Sequence, residues 1–364
     1  MNNLRKIAAG SLAAVLAFSM AACGSSNASS DGTGESTGKA VTVNEKSAKA
    51  TSLADFGTME DLEKAAKEEG ALNVIALPHD WSNYGEVIES FKKKYPEIKV
   101  TELNPNASSK EELDAAKTNK GTDAAPDVFD VGQAIAATST DYFAPYKVQA
   151  WDKIPDTAKD ADGAYYADYT GIMSVGWNAD KYGEAGAAFN GYLMANQLAG
   201  GDINNLQPGL DYFKKLKEAG NLTTVDVTNG TIDSGQTGVV FDWTYNQASY
   251  KKELKDKGVN WKYKTFPKAQ VVSYYNQAIN KDAPHPAAAR LWEEYLYTAD
   301  AQNLWFKGGA NPVLLDSMKE DGTVDQATLK DAITIEGEPV SYTNDDSTRI
   351  TEWLQNNWDK TIGN

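Results

Sequence analysis

Short apolar runs alternate with amphipathic stretches over residues 58–131. The run at 72–77 is typical of a buried strand, and apolar residues at helical spacing follow it between Tyr84 and Tyr95, where Pro96 ends the helix. The same pattern predicts a strand at 98–103, a helix at 109–118 and a strand at 127–131. Strands that alternate with helices predict an α/β fold with parallel layering.

Aromatic and β-branched residues dominate 164–177, which predicts extended backbone there. Helices are predicted at 185–198, 208–219, 245–257, 286–298, 300–306 and 346–360, and strands at 237–242, 260–266 and 271–279. Before the first strand, Thr58 and Asp61 form a capping box for a helix that Gly70 ends. The pattern therefore predicts a large mixed α/β protein.

The first residues have the layout of a secretory signal. Arg5 and Lys6 precede an apolar stretch at 7–20 that is too short to span a bilayer, and small residues stand immediately before Cys23. This resembles a bacterial lipoprotein signal, although Met20 departs from the usual leucine. We predict a signal peptide at 1–22 and lipidation of Cys23. An ordinary signal peptide followed by a chance cysteine is the alternative.

Residues 23–52 are rich in Gly, Ser, Thr, Ala and Lys and contain no aromatic residue, which predicts a flexible tether with the folded region starting at Leu53. Cys23 is the only cysteine among 364 residues, so a disulfide framework and a cysteine-ligated metal are excluded. The net charge of −16 disfavours binding to nucleic acid or to anionic lipid.

Several stretches together resemble the extracellular solute-binding proteins of ABC importers, in the two-lobed type II periplasmic-binding-protein fold, nearest the ferric, polyamine and phosphonate binders. These are LNVIALPHDWSNYGEVIESFKKKYPEIKV, APDVFDVG, DYFAPY, YYADYTGIMSVGWNADKYG and APHPAAARLWEEYLYTADAQNLWFKGGANPV. The resemblance implies a ligand cleft between lobes, with lobe 1 at 53–170 and 279–364 and lobe 2 at 171–278. After GWNADKYG the family's next helix and strand are missing, so a shortened second lobe is expected.

Two strand-end loops are candidate ligand sites. Asp80 and Trp81 follow the first strand, and Asp242, Trp243 and Tyr245 follow the strand at 237–242. Ligands of open α/β sheets bind at such strand ends. A carboxylate beside an indole suits a cation. The alternatives are that Asp80 is a turn residue and Asp242 a helix cap. The aromatic residues would then pack between the lobes or in the core.

Tyr274 and Tyr275 lie on the predicted return crossing, and adjacent tyrosines are found in ferric binders. Neighbouring side chains of a strand point to opposite faces, so the pair alone makes no iron site, and one tyrosine in a ligand wall is the preferred interpretation. His79 and His285 are interpreted as surface or cap residues, and no metal site is predicted. Paired acids such as Glu293 and Glu294 are placed on the solvated side of a helix.

The resemblance implies a monomeric, lipid-anchored solute receptor on the extracellular face of the cell membrane. Its partners would be a small-molecule ligand and the transmembrane subunits of an ABC permease, and it would be no enzyme and need no cofactor. The two aspartate–tryptophan pairs favour an organic cation such as a polyamine as the ligand. Two alternatives stay open: a surface hydrolase with paired carboxylates, and a non-transporting surface protein that retains the fold.

Overall fold

Ten α-helices and β-strands lie within residues 38–178. The computed structural model describes residues 38–179, 185–186, 189–223, 225, 227–340 and 342–363. The elements up to residue 178 are α1 (Glu45–Lys49), α2 (Met59–Glu69), β1 (Ala71–Ile75), α3 (Tyr84–Lys94), β2 (Lys99–Leu103), α4 (Ser109–Thr118), β3 (Val128–Gly132), α5 (Gln133–Thr138), β4 (Phe143–Ala144) and β5 (Tyr166–Asn178). The predicted strands and helices of this half are confirmed within three residues at each end.

The second half follows the predicted order as well. Its elements are β6 (Ala185–Gly186), α6 (Phe189–Leu198), α7 (Gln207–Glu218), α8 (Asn229–Asp233), β7 (Val239–Trp243), α9 (Thr244–Glu253), β8 (Trp261–Lys264), β9 (Val272–Asn280), α10 (Pro286–Leu296), α11 (Ala299–Lys307), β10 (Asn311–Pro312), α12 (Leu315–Glu320), α13 (Gln326–Asp331) and α14 (Asn344–Thr361). The helix predicted at 245–257 ends at Glu253 and continues as a 3-10 turn, Lys255–Lys257.

The sheet topology corrects the expectation of parallel layering. β1 and β2 pair in parallel, and so do the short β6 and β7. The larger sheet has the order β3-β9-β5-β7-β6, and β9 and β5 run antiparallel to each other and to their other neighbours along this order. The reason is that β5 and β9 cross the molecule in opposite directions. The fold is mixed α/β, as predicted.

Two main hydrophobic cores lie along these crossing strands. The first core contains residues of α2, α3, α10 and α11, with Trp292 and Trp305 completely buried. The second core is built by α6, α7 and β7, and Ile350 of α14 is buried in it. α14 therefore packs with the residues predicted to form the second lobe. Within the described part of the chain, no helix is both long and apolar enough to cross a bilayer.

The N-terminal segment 38–52 is ordered, which corrects the expectation that folding starts at Leu53. It contains α1, and the backbone of Lys39 pairs with Asp123. Its main anchor is Arg290, whose guanidinium donates to the carbonyl oxygens of Ala48 and Ala50 at 2.9 and 2.8 Å. The composition of 23–52 resembles a linker, but a buried cation elsewhere in the chain supplies the partners that order its second half.

Replacement of Arg290 by methionine is expected to lower the free energy of unfolding by about 2–4 kcal/mol, because buried carbonyl oxygens lose their donor. The guanidinium is 1% exposed and also donates to the carbonyl of Pro286 at 2.9 Å. Urea unfolding measures the loss, and limited proteolysis should cut within 38–52 in the variant only. Arg349→Met is the control, since Arg349 is exposed. Equal effects of the two substitutions would contradict the anchor.

Candidate functional site

The loop after β1 turns sharply before α3 and brings Trp81 toward the rest of the molecule. Ser82 and Asn83 both have left-handed backbone, with φ of 48° and 67°. The side chain of Asn83 does not cap α3; its amide donates to the carbonyl of Leu304 on α11 at 2.9 Å. The indole N–H of Trp81 donates to the hydroxyl of Tyr169 on β5 at 2.9 Å. The hydrogen bond to Tyr169 thus holds the indole of Trp81 against β5.

Five aromatic residues from four elements and one loop meet here, and we call them the aromatic cluster: Trp81, Tyr169, Trp243, Tyr245 and Tyr275. Tyr245 of α9 lies between them, with ring centroids 4.9 Å from Trp81, 5.9 Å from Tyr169 and 6.4 Å from Trp243. Tyr169 and Tyr275 are cross-strand neighbours and stack at 5.7 Å. Tyr245 is only 2% exposed. The two predicted loops therefore do come together, through ring contacts.

Glycine at position 309 allows this approach of α9 to the first core. Gly309 has a φ of +85°, and a Cβ atom there would lie 2.6 Å from the Cβ of Ala248 on α9. A Cβ at Gly308 would lie 2.7 Å from the Cβ of Asn83. The Gly308–Gly309 turn after α11 thus contacts the loop after β1 on one side and α9 on the other. Larger residues would separate them.

Asp242 is held by its own neighbourhood. Its carboxylate accepts hydrogen bonds from the backbone N–H of Trp243 at 2.7 Å, the amide of Asn246 at 2.9 Å and the hydroxyl of Tyr250 at 2.8 Å. Burial raises the pKa of Asp242 despite these donors. Trp243 is the residue immediately before α9, so Asp242 does not take the cap position that the alternative interpretation gave it.

Asp80 is exposed and lines a cavity of about 350 Å³, which we call the charged cavity. Residues of the loop after β1, of α3, of α9 and of the α11 terminus form its wall, and its charged residues are Asp80, Glu86, Lys252, Glu253 and Lys307. Burial and the carboxylates of Asp242, Glu253 and Asp80 raise the pKa of Tyr250. Asp80 and Asp242 therefore both act on one tyrosine of α9.

The two tyrosines of β9 separate, as alternation along a strand requires. Tyr275 joins the aromatic cluster, whereas Tyr274 is partly buried against the first core and pairs in register with Thr170. Among the described residues, no group of three or more His, Cys, Asp or Glu side chains could hold a metal ion. The adjacent tyrosines thus do not point into one site together.

The two histidines have different environments. His79 is exposed, and its ring contacts Glu102 at 2.5 Å. His285 precedes α10, as a cap residue would, but its ring is mostly buried and contacts Asp127 at 2.9 Å. Burial opposes protonation of His285, and the carboxylate of Asp127 outweighs it and raises the pKa.

A pair of buried carboxyl groups lies beneath the aromatic cluster. Neither belongs to the site predicted from the sequence. Asp130 of β3 and Asp168 of β5 are 3% and 0% exposed, and one amide nitrogen of Gln277 donates to both, at 3.2 and 2.8 Å. The hydroxyl of Tyr84 also donates to Asp168 at 3.0 Å. Burial raises the pKa of Asp168 to about 7 and that of Asp130 well above its ordinary value. The available signal was an acid flanked on both sides by apolar or aromatic residues within a predicted extended segment.

The placement of Glu293 and Glu294 on a solvated helix face is wrong. They are 0% and 4% exposed, because neighbouring elements cover all eleven residues of α10. Glu294 accepts from the hydroxyl of Tyr146 at 2.9 Å and from Gln149. Burial raises the pKa of both carboxyls.

Comparison with known proteins shows the fold. No family model matches the chain, and no curated protein matches its sequence. Among solved structures, it is similar to a GABA receptor (TM-score 0.58, 16% identity, covering 79% of this chain and 96% of that one). It is also similar to an ABC transporter substrate-binding protein from Bradyrhizobium japonicum (TM-score 0.59, 10% identity, 80% and 99%) and to a ferric binding protein from Campylobacter jejuni (TM-score 0.55, 17% identity, 78% and 98%).

These similarities confirm the predicted two-lobed type II periplasmic-binding-protein fold. The alignments extend over 96–99% of the neighbours, so the shortening expected for the second lobe does not appear as an unmatched part of them. The departure predicted after GWNADKYG begins at residue 184 and continues as EAGAAFNGYLMANQLAGG to residue 201. Of this segment, 185–186 and 189–201 lie within the described residues. At 10–17% identity, the neighbours do not decide the ligand.

The free energy of unfolding is expected to fall as the pH rises from 5 to 7. In this range the folded state keeps Asp168 protonated, while the unfolded state ionises near its ordinary pKa of about 3.9. Two pH units correspond to roughly 2–3 kcal/mol at about 1.4 kcal/mol per unit. Glu69, whose pKa burial raises to about 7, and His285 act in the same direction. Urea titrations at several pH values measure the slope.

Asp168→Asn should make this slope shallower, because an amide does not ionise. The other buried carboxyls with raised pKa, among them Asp130 and Glu69, keep part of the slope. Asp114→Asn is the control for loss of one negative charge, since Asp114 is exposed on α4. A wild-type slope that is zero or rises with pH would contradict the assignment, as would equal slopes in the two variants.

Proposed function

We propose that this protein is the solute-binding component of an ABC importer. It captures a small organic solute that carries a positive charge and delivers it to the permease subunits. The observation that supports this most directly is the meeting of the loop after β1 with the start of α9, where Trp81 contacts Tyr245 and Asp80 lines the charged cavity. A carboxylate close to indole and phenol rings is suited to an ammonium group.

The proposed preference for a cationic solute depends on Asp80 more than on Asp242. Three internal donors occupy the oxygens of Asp242, so it contributes mainly its charge. Asp80 has no hydrogen bond or ion pair to any residue in the described ranges, so its carboxylate is available to a ligand. One structural neighbour is a GABA receptor and another is a ferric binding protein, so the fold accommodates either an organic or a ferric ligand. Tyr274 and Tyr275 are adjacent on β9, so their side chains alternate across the strand, which disfavours a shared iron site in this chain.

We propose that β5 and β9 form the hinge between the lobes. Both strands extend from the first core to the second, and their antiparallel pairing links residues 166–172 with 272–277. In the structure the rings of Trp81 and Tyr245 are in contact, so a solute would enter after the lobes separate by hinge motion. Because α14 packs in the second core, we assign 344–362 to lobe 2 together with 171–278.

The ligand is best sought by thermal shift, because a solute that binds only the folded state raises the melting temperature. Organic ammonium compounds are expected to raise it, and inorganic and organic anions are not. Asp80→Asn should weaken binding by about tenfold or more, the effect of losing one charge-assisted hydrogen bond. Asp114→Asn, outside the cavity, should bind as wild type. Binding of anions alone, or equal affinities of the two variants, would contradict the proposal.

We further propose that Cys23, which lies outside the described residues, carries the lipid that holds the protein at the outer face of the cell membrane. Cys23→Ser is expected to move the protein from the membrane fraction to the medium, because the acidic chain has no other affinity for anionic lipid. Ser25→Ala, in the same segment, should leave it membrane-bound. Retention of the Cys23→Ser protein at the membrane would contradict the anchor.

One observation favours a second candidate function, a surface protein that keeps the fold without transporting. Side chains of the protein itself fill the space where the two loops meet, since Tyr245 is 2% exposed. If this contact never opens, no solute will shift the melting temperature and small-angle scattering will give one radius of gyration under all conditions. A solute that binds and contracts the molecule would exclude this candidate.

A further inference from the structure

The charged cavity is lined by charged groups of both signs. These groups differ in whether another residue of the protein pairs with them. Lys307 contacts Glu86 at 2.7 and 3.0 Å, so these two charges neutralise each other. Glu253 accepts a hydrogen bond from Ser249 at 2.9 Å and another from Asn229. Lys307, Glu86 and Glu253 therefore already have partners within the protein.

Two charged groups of opposite sign remain. Asp80 and Lys252 line the cavity, and neither has a hydrogen bond or an ion pair to another residue in the ranges that the structure describes. Asp80 comes from the loop after β1, and Lys252 comes from the last turn of α9. Lys252 also helps to lower the pKa of Glu86, so its charge acts within the same cavity. The loop after β1 thus offers a carboxylate to the cavity, and α9 offers an ammonium group.

From this arrangement we propose that the charged cavity binds a small zwitterion, with its ammonium group at Asp80 and its carboxylate at Lys252. The inference rests on the proposed function and narrows its solute class from organic cations to amino acids. A dication would place its second charge against Lys252, and a simple anion would meet Asp80, Glu86 and Glu253. A cavity of about 350 Å³ lies at the lower end of the usual range for small-molecule sites.

Three series of unbranched solutes with two to six carbons test this: ω-amino acids, diamines and monocarboxylic acids. Calorimetry or thermal shift with the full chain compares their affinities. We expect an ω-amino acid to bind most tightly, a diamine of the same length more weakly, and the acids not at all. Tighter binding of the diamines to the wild-type protein would overturn the zwitterion assignment and leave the proposed capture of organic cations in place.

Lys252→Met is the decisive variant, with Lys251→Met as its control on the same helix outside the cavity. The loss of Lys252 should weaken amino-acid binding by about tenfold or more and leave diamine binding equal or stronger, so that the preference reverses. A change in fold would weaken both series together and would not reverse the order.

The outcomes separate the two proposals. If Lys252→Met behaves like Lys251→Met while Asp80→Asn weakens the binding of diamines, the zwitterion inference fails and the proposed function stands. If no solute of any series binds the wild-type protein, the zwitterion inference fails together with the proposed cation preference.

Discussion

β5 and β9 are two strands that run in opposite directions, and their pairing determines where both hydrophobic cores lie. Their antiparallel pairing runs from Tyr166 to Ile172 on one strand and from Gln277 to Val272 on the other. β3 adds to one side of β9, and β7 and β8 add to the far end of β5. Each core therefore grows on one end of the same two-stranded ribbon. A change in its register would displace both cores at once.

The ribbon is also where the buried polar groups converge. Gln277 of β9 joins Asp168 of β5 to Asp130 of β3 through a single amide nitrogen, and Tyr84 of α3 adds its hydroxyl to Asp168. Burial at this depth is tolerated only when the carboxyls are hydrogen-bonded or protonated. The network lies next to the aromatic cluster through Tyr169, whose backbone N–H donates to Asp168 at 2.7 Å. These hydrogen bonds thus hold Tyr169, and with it one side of the ring contacts between the two loops, in a defined position.

Placement of the candidate site follows from the same ribbon. The loop after β1 and the start of α9 would be far apart along an extended chain, and they meet because β5 and β7 bring α9 against Trp81 and the Gly308–Gly309 turn. Two charged side chains without a partner among the described residues, Asp80 and Lys252, lie at the edge of this contact in the charged cavity. The centre is occupied by rings in close contact. Asp80 and Lys252 are both exposed to water, where charged groups are tolerated without partners.

The sequence alone determined the local elements and the fold class. α2 begins at the capping box of Thr58 and Asp61, which is present as predicted, and ends at Gly70. Both ends depend on contacts within a few residues. The aromatic and β-branched residues of 164–177 located β5, and the composition of 78–85 located a loop at the end of a strand. The resemblance to the two-lobed fold was carried by the order of these local signals. All of them are short-range, so they can be read from neighbouring residues.

Only the tertiary structure decided how distant residues use one another. Glu293 and Glu294 lie on a helix whose pattern predicts one solvated face, but neighbours cover α10 on every side. Arg290 orders a segment 240 residues earlier, and Gln277 binds a carboxylate 109 residues away. Asp242 looked like a ligand residue, yet Asn246 and Tyr250 occupy its oxygens. Burial and partner choice depend on elements that meet only in the folded chain, so no pattern within one element could have specified them.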